Sequence, residues 1–367
     1  MAPGILPMSN YSDNIDKAVT AREGEAPDAY ELKKYLSSAL PGFDRDMIIE
    51  QFPGGYSNLT FLLKTSGKEY VLRKPPAGAN IKSAHDMGRE FRVLTALKPV
   101  YIPVPTPILF CDDSSIIGSP FYIMERVRGI ILRNKAPKGI ELTPAIMRSV
   151  SESAVENLAA LHSIDLESSG LIGLGKPEGY IQRQTEGWIK RYVAAQTDII
   201  EDMNKTADWM QANMPEDGIP AFIHNDYKYD NLVLDPENLK NIIAVLDWEM
   251  ATVGNPLMDL GTSLGYWAEA GDNDALKPFN LTWLPGNLTR EEVVERYAAT
   301  KKISIPDMLF YYVFGSFKIG VIVQQIYARY KKGLTRDERF AGLGHVVTAC
   351  AANAQKAIRY NRISHFY

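Results

Sequence analysis

Ile223-His224-Asn225-Asp226-Tyr227-Lys228-Tyr229-Asp230-Asn231 decides how this chain is read, together with the hydrophobic run Ile242 to Leu246 that ends in Asp247-Trp248. As spacing, the first part is H-x-D-x-K-x-x-N, and the second is an Asp at the tip of a buried strand. Phosphoryl transfer from ATP needs such groups. One carboxylate receives or orients the acceptor hydroxyl, while an amide oxygen and a second carboxylate hold magnesium on the phosphates. An Asp and an Asn after a His would also serve an ordinary capped turn. The strand-then-Asp further on favours phosphotransfer over the turn.

Working outward, 367 residues suit two lobes better than one core. Hydrophobic content of 46% and charged content of 23% are ordinary for a folded chain. A net charge of −4 argues against a nucleic-acid partner, which would usually require a basic excess. Cys111 and Cys350 form neither a metal nor a disulfide pattern, so a reducing, cytoplasmic setting is expected. The start, Met1 to Pro7, lacks the basic and apolar regions of a signal peptide. The apolar run Met308 to Val323 is interrupted by Lys318, Gly and Ser and reads as too short to span a bilayer, so no membrane is expected.

The first twenty or so residues are polar and read as a loose arm. Asp28 to Leu40 has helical spacing; Met47 to Phe52, Leu59 to Thr65 and Glu69 to Arg73 read as strands joined by turns. An amphipathic helix over Ser83 to Leu97 and strands at 108–110 and 121–124 complete a small antiparallel sheet with one packed helix. Beyond Gly129 helical patterns dominate: 144–162, 179–196, 199–214, 290–299, 306–332 and 337–359. Short strands at 222–223, 232–234 and 242–246 interrupt them around the opening segment. The expected fold is α+β and bilobal. Residues 1–127 form a sheet-rich lobe with phosphate loop and hinge; residues 128–367 form a helical lobe with the catalytic loop and acceptor site. ATP is expected at the seam.

These blocks resemble the aminoglycoside phosphotransferase and choline kinase-like group, relatives of protein kinases, which write the two parts as H-R-D-x-K-x-x-N and D-F-G. The resemblance covers about residues 20 to 360 and is nearest to the kinase-like domains fused, in some members, to acyl-CoA dehydrogenases. It rests on Arg22-Glu23-Gly24-Glu25, Gly54 to Asn58, Tyr70 to Pro75, His224 to Asn231, and Asp247-Trp248-Glu249 running on to Gly261. The resemblance implies a protein-kinase-like fold and a magnesium- and ATP-dependent phosphotransferase. It makes Asp226 the base or hydroxyl-orienting group, and Asn231 and Asp247 the magnesium ligands. Lys228 becomes a cation against the moving phosphoryl group, and His224 and Asp259 structural supports.

In the first lobe, Gly54 and Gly55 permit a tight turn, and Ser57 and Asn58 offer donors to phosphates. Arg73 and Lys74 compete as the phosphate cation. Strand alternation groups Arg73 with Val71, the residue expected to line the adenine site, and so favours Arg73, with Glu90 as its partner. Met124, with backbone at Glu125 and Val127, reads as the hinge that meets adenine. No A-P-E element follows Asp247, and Asn255-Pro256 comes too soon for an activation segment, so a small-molecule acceptor is expected rather than a peptide.

Two other readings compete. Gly261-Thr262-Ser263-Leu264-Gly265 matches G-x-S-x-G, a hydrolase elbow with Ser263 as nucleophile and His345 or His365 as base, although Pro256 to Leu260 ahead of it looks like a helix start. A nucleotide-binding protein without catalysis is the third. As for the acceptor, the aromatic and basic stretch Leu309 to Lys332 lacks carboxylates for a polycation and suits an apolar or anionic one, such as a hydroxyacyl group on CoA. A packed core helix is the competing reading of that stretch.

Overall fold

In the computed structural model the described residues are 14–43, 46–53, 58–76, 86–305, 307–335 and 337–366. Contacts divide the chain into two compact units. One comprises residues up to Ile130 together with Val233–Asn238 and Ile243–Met250, and the other holds the remainder. The two returns put Asp247 in the first unit, although it lies far along the sequence.

The first unit opens with α1 (Ala29–Ala39), whose N-cap Asp28 accepts the backbone N–H groups of Tyr30 and Glu31. Five strands follow: β1 (Ile48–Gln51), β2 (Leu59–Lys64), β3 (Glu69–Lys74), β4 (Pro107–Cys111) and β5 (Phe121–Glu125), with α2 (Met87–Leu97) and the short α3 (Ser114–Ile117) among them. They form one antiparallel sheet in the order β1-β2-β3-β5-β4. Alternation on the pleat sorts the side chains. Phe61, Leu63, Leu72, Phe121 and Ile123 form a core with Leu32 and Leu36 of α1 and Ile117 of α3. Full burial of each leucine stabilises the sheet by about 2 kcal/mol. In the β3–β5 register Val71 is opposite Met124, and Arg73 opposite Tyr122, which puts this set on the other face.

The helix expected from Ser83 starts later. Asp86 stands outside it as the N-cap, accepting from the Arg89 N–H, and the first helical residue is Met87; residues 83–85 lie outside the described residues. An Asp at that point is worth more as a cap than within the helix.

The second unit is mainly helical. It contains α4 (Pro144–Leu161), α5 (Tyr180–Ala195) and α6 (Glu201–Ala212). In chain order there follow β6 (Ala221–Ile223), the strands β7 (Leu232–Asp235) and β8 (Asn238–Val245), which fall largely in the returns to the first unit, then β9 (Thr252–Gly254), α7 (Pro256–Tyr266), α8 (Arg290–Lys301), α9 (Leu309–Lys331) and α10 (Leu343–Tyr360). β6 pairs with β9, and β7 with β8. β9 has no counterpart in the sequence reading; three residues are too few to show a period. The last helix is shorter than expected: Asp337 caps a separate 3-10 turn over Glu338–Phe340, and α10 begins after Gly342. α9 begins at Leu309, and Pro306 lies outside the described residues.

α9 is the one helix among the described residues long and apolar enough to cross a membrane, at 23 residues, where the apolar run Met308 to Val323 read as too short to do so. Its apolar length is used inside the unit. α5, α6, α7 and α10 pack around it, and Phe310, Tyr311, Tyr312, Phe314 and Phe317 are all buried. The expectation of an acceptor-lining aromatic wall is therefore corrected: these rings are core, because their side chains face neighbouring helices all round.

Candidate active site

In the first unit the site is built around one guanidinium. Arg73 Nη1 donates to Glu90 Oε1 at 2.6 Å, and Nη2 donates to Asp247 Oδ1 at 3.1 Å. Glu249 stands 3.7 Å from Nη2 and also accepts from Asn58 Nδ2 at 2.7 Å. Burial opposes charge on Arg73, but Glu90, with Tyr122, Asp247 and Glu249, outweighs it and holds the pKa well above the ordinary value. Burial outweighs the pull of Arg73 and leaves the Glu90 pKa raised. Lys74 turns to the opposite face, where Nζ donates to the carbonyl of Ile117 at 3.4 Å. Strand alternation thus separates the two cations, and Arg73 is the one that meets Glu90.

Asp247 follows β8 with φ 67°, the left-handed region that only a few non-glycine residues adopt. Trp248 fixes this bend. It is buried, its Nε1 donates to Val245 O at 2.9 Å, and its ring meets Tyr101 edge-on at 6.0 Å. Met124 is buried and Glu125 closes β5, its N–H donating to Thr106 O at 2.9 Å; Val127 is described just beyond the strand. Gly54, Gly55 and Ser57 lie outside the described residues. Asn58 is described and is turned to Glu249.

In the second unit the segment 224–231 is held from several sides. Asp226 Oδ2 accepts from Lys228 Nζ at 3.0 Å and from Asn231 Nδ2 at 3.1 Å, while Oδ1 accepts from Lys228 at 3.2 Å. Asn231 Nδ2 also donates to the Asp226 carbonyl at 2.8 Å. With its amide nitrogen committed to Asp226, the side chain offers Oδ1 as a ligand atom. Lys228 Nζ rests 4.6 Å from the centre of the buried Tyr266 ring. Burial opposes the Lys228 charge, but Tyr266 and Asp226 more than offset it, so its pKa is raised.

Asp259, fully buried on α7, accepts the backbone N–H groups of His224 and Asn225, each at 2.7 Å. Its Oδ2 also meets His162 Nε2 at 3.0 Å, and His162 Nδ1 meets the Tyr297 hydroxyl at 2.8 Å. Burial works against the Asp259 charge, but His162, His224 and these hydrogen bonds win, so its pKa is lowered. His224 Nδ1 in turn accepts the Asp226 N–H at 3.2 Å. Both residues thus hold the backbone around Asp226. Tyr227 donates to Ala154 O at 2.8 Å and Tyr229 to Asn287 Oδ1 at 2.8 Å, which pins alternate loop residues in the interior.

Tyr266, His162, Glu249 and Lys318 were missed in the sequence. Glu249 had a signal in D-W-E. The other three come from helices whose register against the loop a linear pattern does not report.

The hydrolase reading is overturned. Ser263 lies well inside α7, buried, and not at the turn from β9 into the helix where a nucleophile elbow would place it. The two glycines of the pattern serve packing instead. A Cβ on Gly261 would sit 2.2 Å from Tyr311 O, and one on Gly265 would sit 2.7 Å from Gly315 C. Four residues apart, they face α9 and let the two backbones meet.

A five-stranded antiparallel sheet with a helix-borne Glu pairing the β3 cation, and a mainly helical unit carrying an H-x-D-x-K-x-x-N loop, define a kinase-like α+β fold. Residues 48–294 match the phosphotransferase enzyme family, and the chain belongs to that family. It is 37% identical to acyl-CoA dehydrogenase family member 11 of Gallus gallus over 91% of its own length and 44% of the relative's. The chain thus spans less than half of the curated relatives it matches. Among solved structures, one from Ralstonia eutropha assigned to the aminoglycoside phosphotransferases has a TM-score of 0.74 at 30% identity, covering 90% of this chain and 99% of that one. The choline kinase of Cryptosporidium parvum shares the fold, with a TM-score of 0.63 at 13% identity over 91% and 97% of the two chains.

Proposed function

We propose that this chain transfers the terminal phosphoryl group of ATP to a hydroxyl of a small, non-cationic molecule. The observation that carries the reading is the Asp226 carboxylate, held by Lys228 and Asn231 within a loop that Asp259 fixes through two backbone N–H groups. In this reading Asp226 orients the acceptor hydroxyl and takes its proton. Lys228 supplies positive charge where the phosphoryl group becomes more negative in the transition state. Arg73, kept charged by Glu90, binds phosphate oxygens. Its Nε is buried and has no partner among the described residues, so a phosphate oxygen would satisfy an orphan donor. Val71 and Met124 would flank adenine, with the Glu125 carbonyl and Val127 N–H on its edge.

Asp247 in the first unit and Asn231 Oδ1 in the second are each oxygen donors of the kind magnesium takes, a hard cation usually bound through one or two protein oxygens plus phosphates. When bound, the ion would neutralise phosphate charge.

The relatives' names support the choice of acceptor. A chain resembling less than half of an acyl-CoA dehydrogenase family protein suits a hydroxyacyl group on CoA, or a like metabolite, better than an aminoglycoside. The five buried rings of α9, Phe310 to Phe317, lend no support, since they are core. The test is ADP release with magnesium and ATP across hydroxyacyl-CoAs, free hydroxy acids and kanamycin. Turnover with the first class and none with kanamycin is expected. Robust kanamycin turnover would contradict the acceptor class, and ATP binding without turnover on any acceptor would favour a non-catalytic role.

A further inference from the structure

The second unit buries a cation that phosphotransfer does not use. Lys318, midway along α9, is 1% exposed, and its ammonium donates to neutral oxygens: the Asn225 carbonyl at 2.8 Å, Asn225 Oδ1 at 3.4 Å and Thr262 Oγ1 at 3.5 Å. Burying an ammonium with no carboxylate among the described residues in contact is expensive, and such a cost is tolerated where the charge has a task.

The task is visible at the other end of the same residue. Asn225 presents its N–H to the Asp259 carboxylate at 2.7 Å and its carbonyl to Lys318, so an anion and a cation grip the two polar groups of one residue. Its side-chain amide meets the Tyr180 hydroxyl at 3.1 Å. Asn225 has φ 68°, a conformation that an unconstrained chain rarely keeps, and the next residue is Asp226.

We propose that Lys318 is a positioning residue for Asp226: its ammonium clamps the Asn225 carbonyl and, with Asp259 on the N–H, fixes the left-handed bend that aims the Asp226 carboxylate. As a statement about catalysis this rests on the phosphotransfer reading; as a statement about the loop it does not. The charged groups facing Lys318 are Asp259 on α7, Asp226 and Lys228 on the loop and Arg191 on α5. α6 and α10 bring Met203 and Cys350 against α9 at Gly320. Burial, partly offset by Asp259 and Asp226, pushes the ammonium down to about 8. The clamp is therefore charged at neutral pH and is released as the pH rises through that value.

Hydrogen exchange of a peptide spanning residues 222–231 tests the clamp without any acceptor. In the wild type, after correction for intrinsic exchange, protection in this peptide should fall about tenfold or more from pH 7 to pH 9.5, while α4 and α8 keep theirs. Lys318→Met should show the loosened loop already at pH 7. On turnover, Lys318→Met should lose about a hundredfold in kcat with KM for ATP within about twofold, and Lys318→Arg should recover much of kcat and move the alkaline limb upward. A loop equally protected at both pH values in the wild type overturns the proposal, and this arm needs no variant to fold. Unchanged protection and kcat in a folded Lys318→Met protein also overturns it. Absent turnover in all proteins with the exchange pattern intact would refute the phosphotransfer reading and leave the clamp standing.

Discussion

Lys228 Nζ lies 3.0 Å from one oxygen of Asp226 and 3.2 Å from the other, so the proposed base and the cation proposed for the phosphoryl group form a single ion pair. Both side chains are mostly buried, at 19% and 16% exposure, and water screens the pair only in part. Lys228 has two places to put its charge, on Asp226 and on the phosphoryl group. Lys228→Met should lower kcat by about 10²- to 10³-fold, the size expected for removing one electrostatic donor, with KM for ATP changed little. Steady-state kinetics at saturating acceptor checks this, and an equal loss in kcat and rise in KM would assign Lys228 to ground-state binding.

Arg73 has the opposite profile. It joins the buried Glu90 and the partly exposed Asp247 and Glu249, and removing it leaves three carboxylates together without that cation. Arg73→Met is expected to cost about 3–5 kcal/mol of stability, as for breaking a buried pair from one side, and to abolish ATP binding. Glu90→Gln should keep the hydrogen bond to Arg73 and most of the stability. Chemical denaturation and calorimetric titration with ATP separate the two effects.

Acid should weaken the second unit before its surface carboxylates matter. Burial lowers the His162 pKa, so the folded state binds its proton less readily than the unfolded one does. Its contribution is fully present above the unfolded value of about 6.5 and is lost as the pH falls below that. Asp259 is shifted downward too, so its contribution is present above its unfolded value of about 3.9 and is lost at still lower pH. Thermal melts should therefore show Tm falling from pH 7 to pH 5. His162→Gln should flatten that slope while starting from a lower Tm, and an unchanged slope would remove His162 as its source.

The α7–α9 contact yields a packing prediction. A methyl group on Gly315 would lie 1.9 Å from Gly261 O, and one on Gly261 2.2 Å from Tyr311 O. Backbone atoms are met in both cases, so a side-chain rotation gives no relief. Gly261→Ala and Gly315→Ala should each destabilise by about 1–3 kcal/mol or more, measured by urea denaturation. Gly187→Ala, which meets only the end of the Arg191 side chain at 3.7 Å, is the control and should be neutral or mildly stabilising.

The sequence carried the parts of the fold that depend on local periodicity and short spacing. The alternation of β3 was enough to send Arg73 and Lys74 to opposite faces, because a strand's period is fixed at two. Glu90 was legible as its partner because one amphipathic helix stood ready to supply it. Where several helices meet, the pattern failed. α9 is apolar on nearly all sides, and nothing in such a helix says whether its rings line a substrate site or a core. The G-x-S-x-G spacing carried a similar ambiguity: glycines four apart on a helix suit close packing as well as they suit a strained turn. Lys318 read as one basic residue of the Leu309 to Lys332 stretch offered to the acceptor, since its burial against Asn225 is a property of tertiary register alone.

The central claim is that Asp226 acts directly in phosphoryl transfer. Single-turnover reaction of Asp226→Asn with ATP, magnesium and the best acceptor found tests it most directly, alongside ATP affinity measured on the same preparation. Asn keeps the size and an oxygen for Asn231 and Lys228 but cannot take a proton. The account predicts ATP binding within about twofold of wild type and phosphoryl transfer slowed by about 10³-fold or more. Transfer at near the wild-type rate would contradict it.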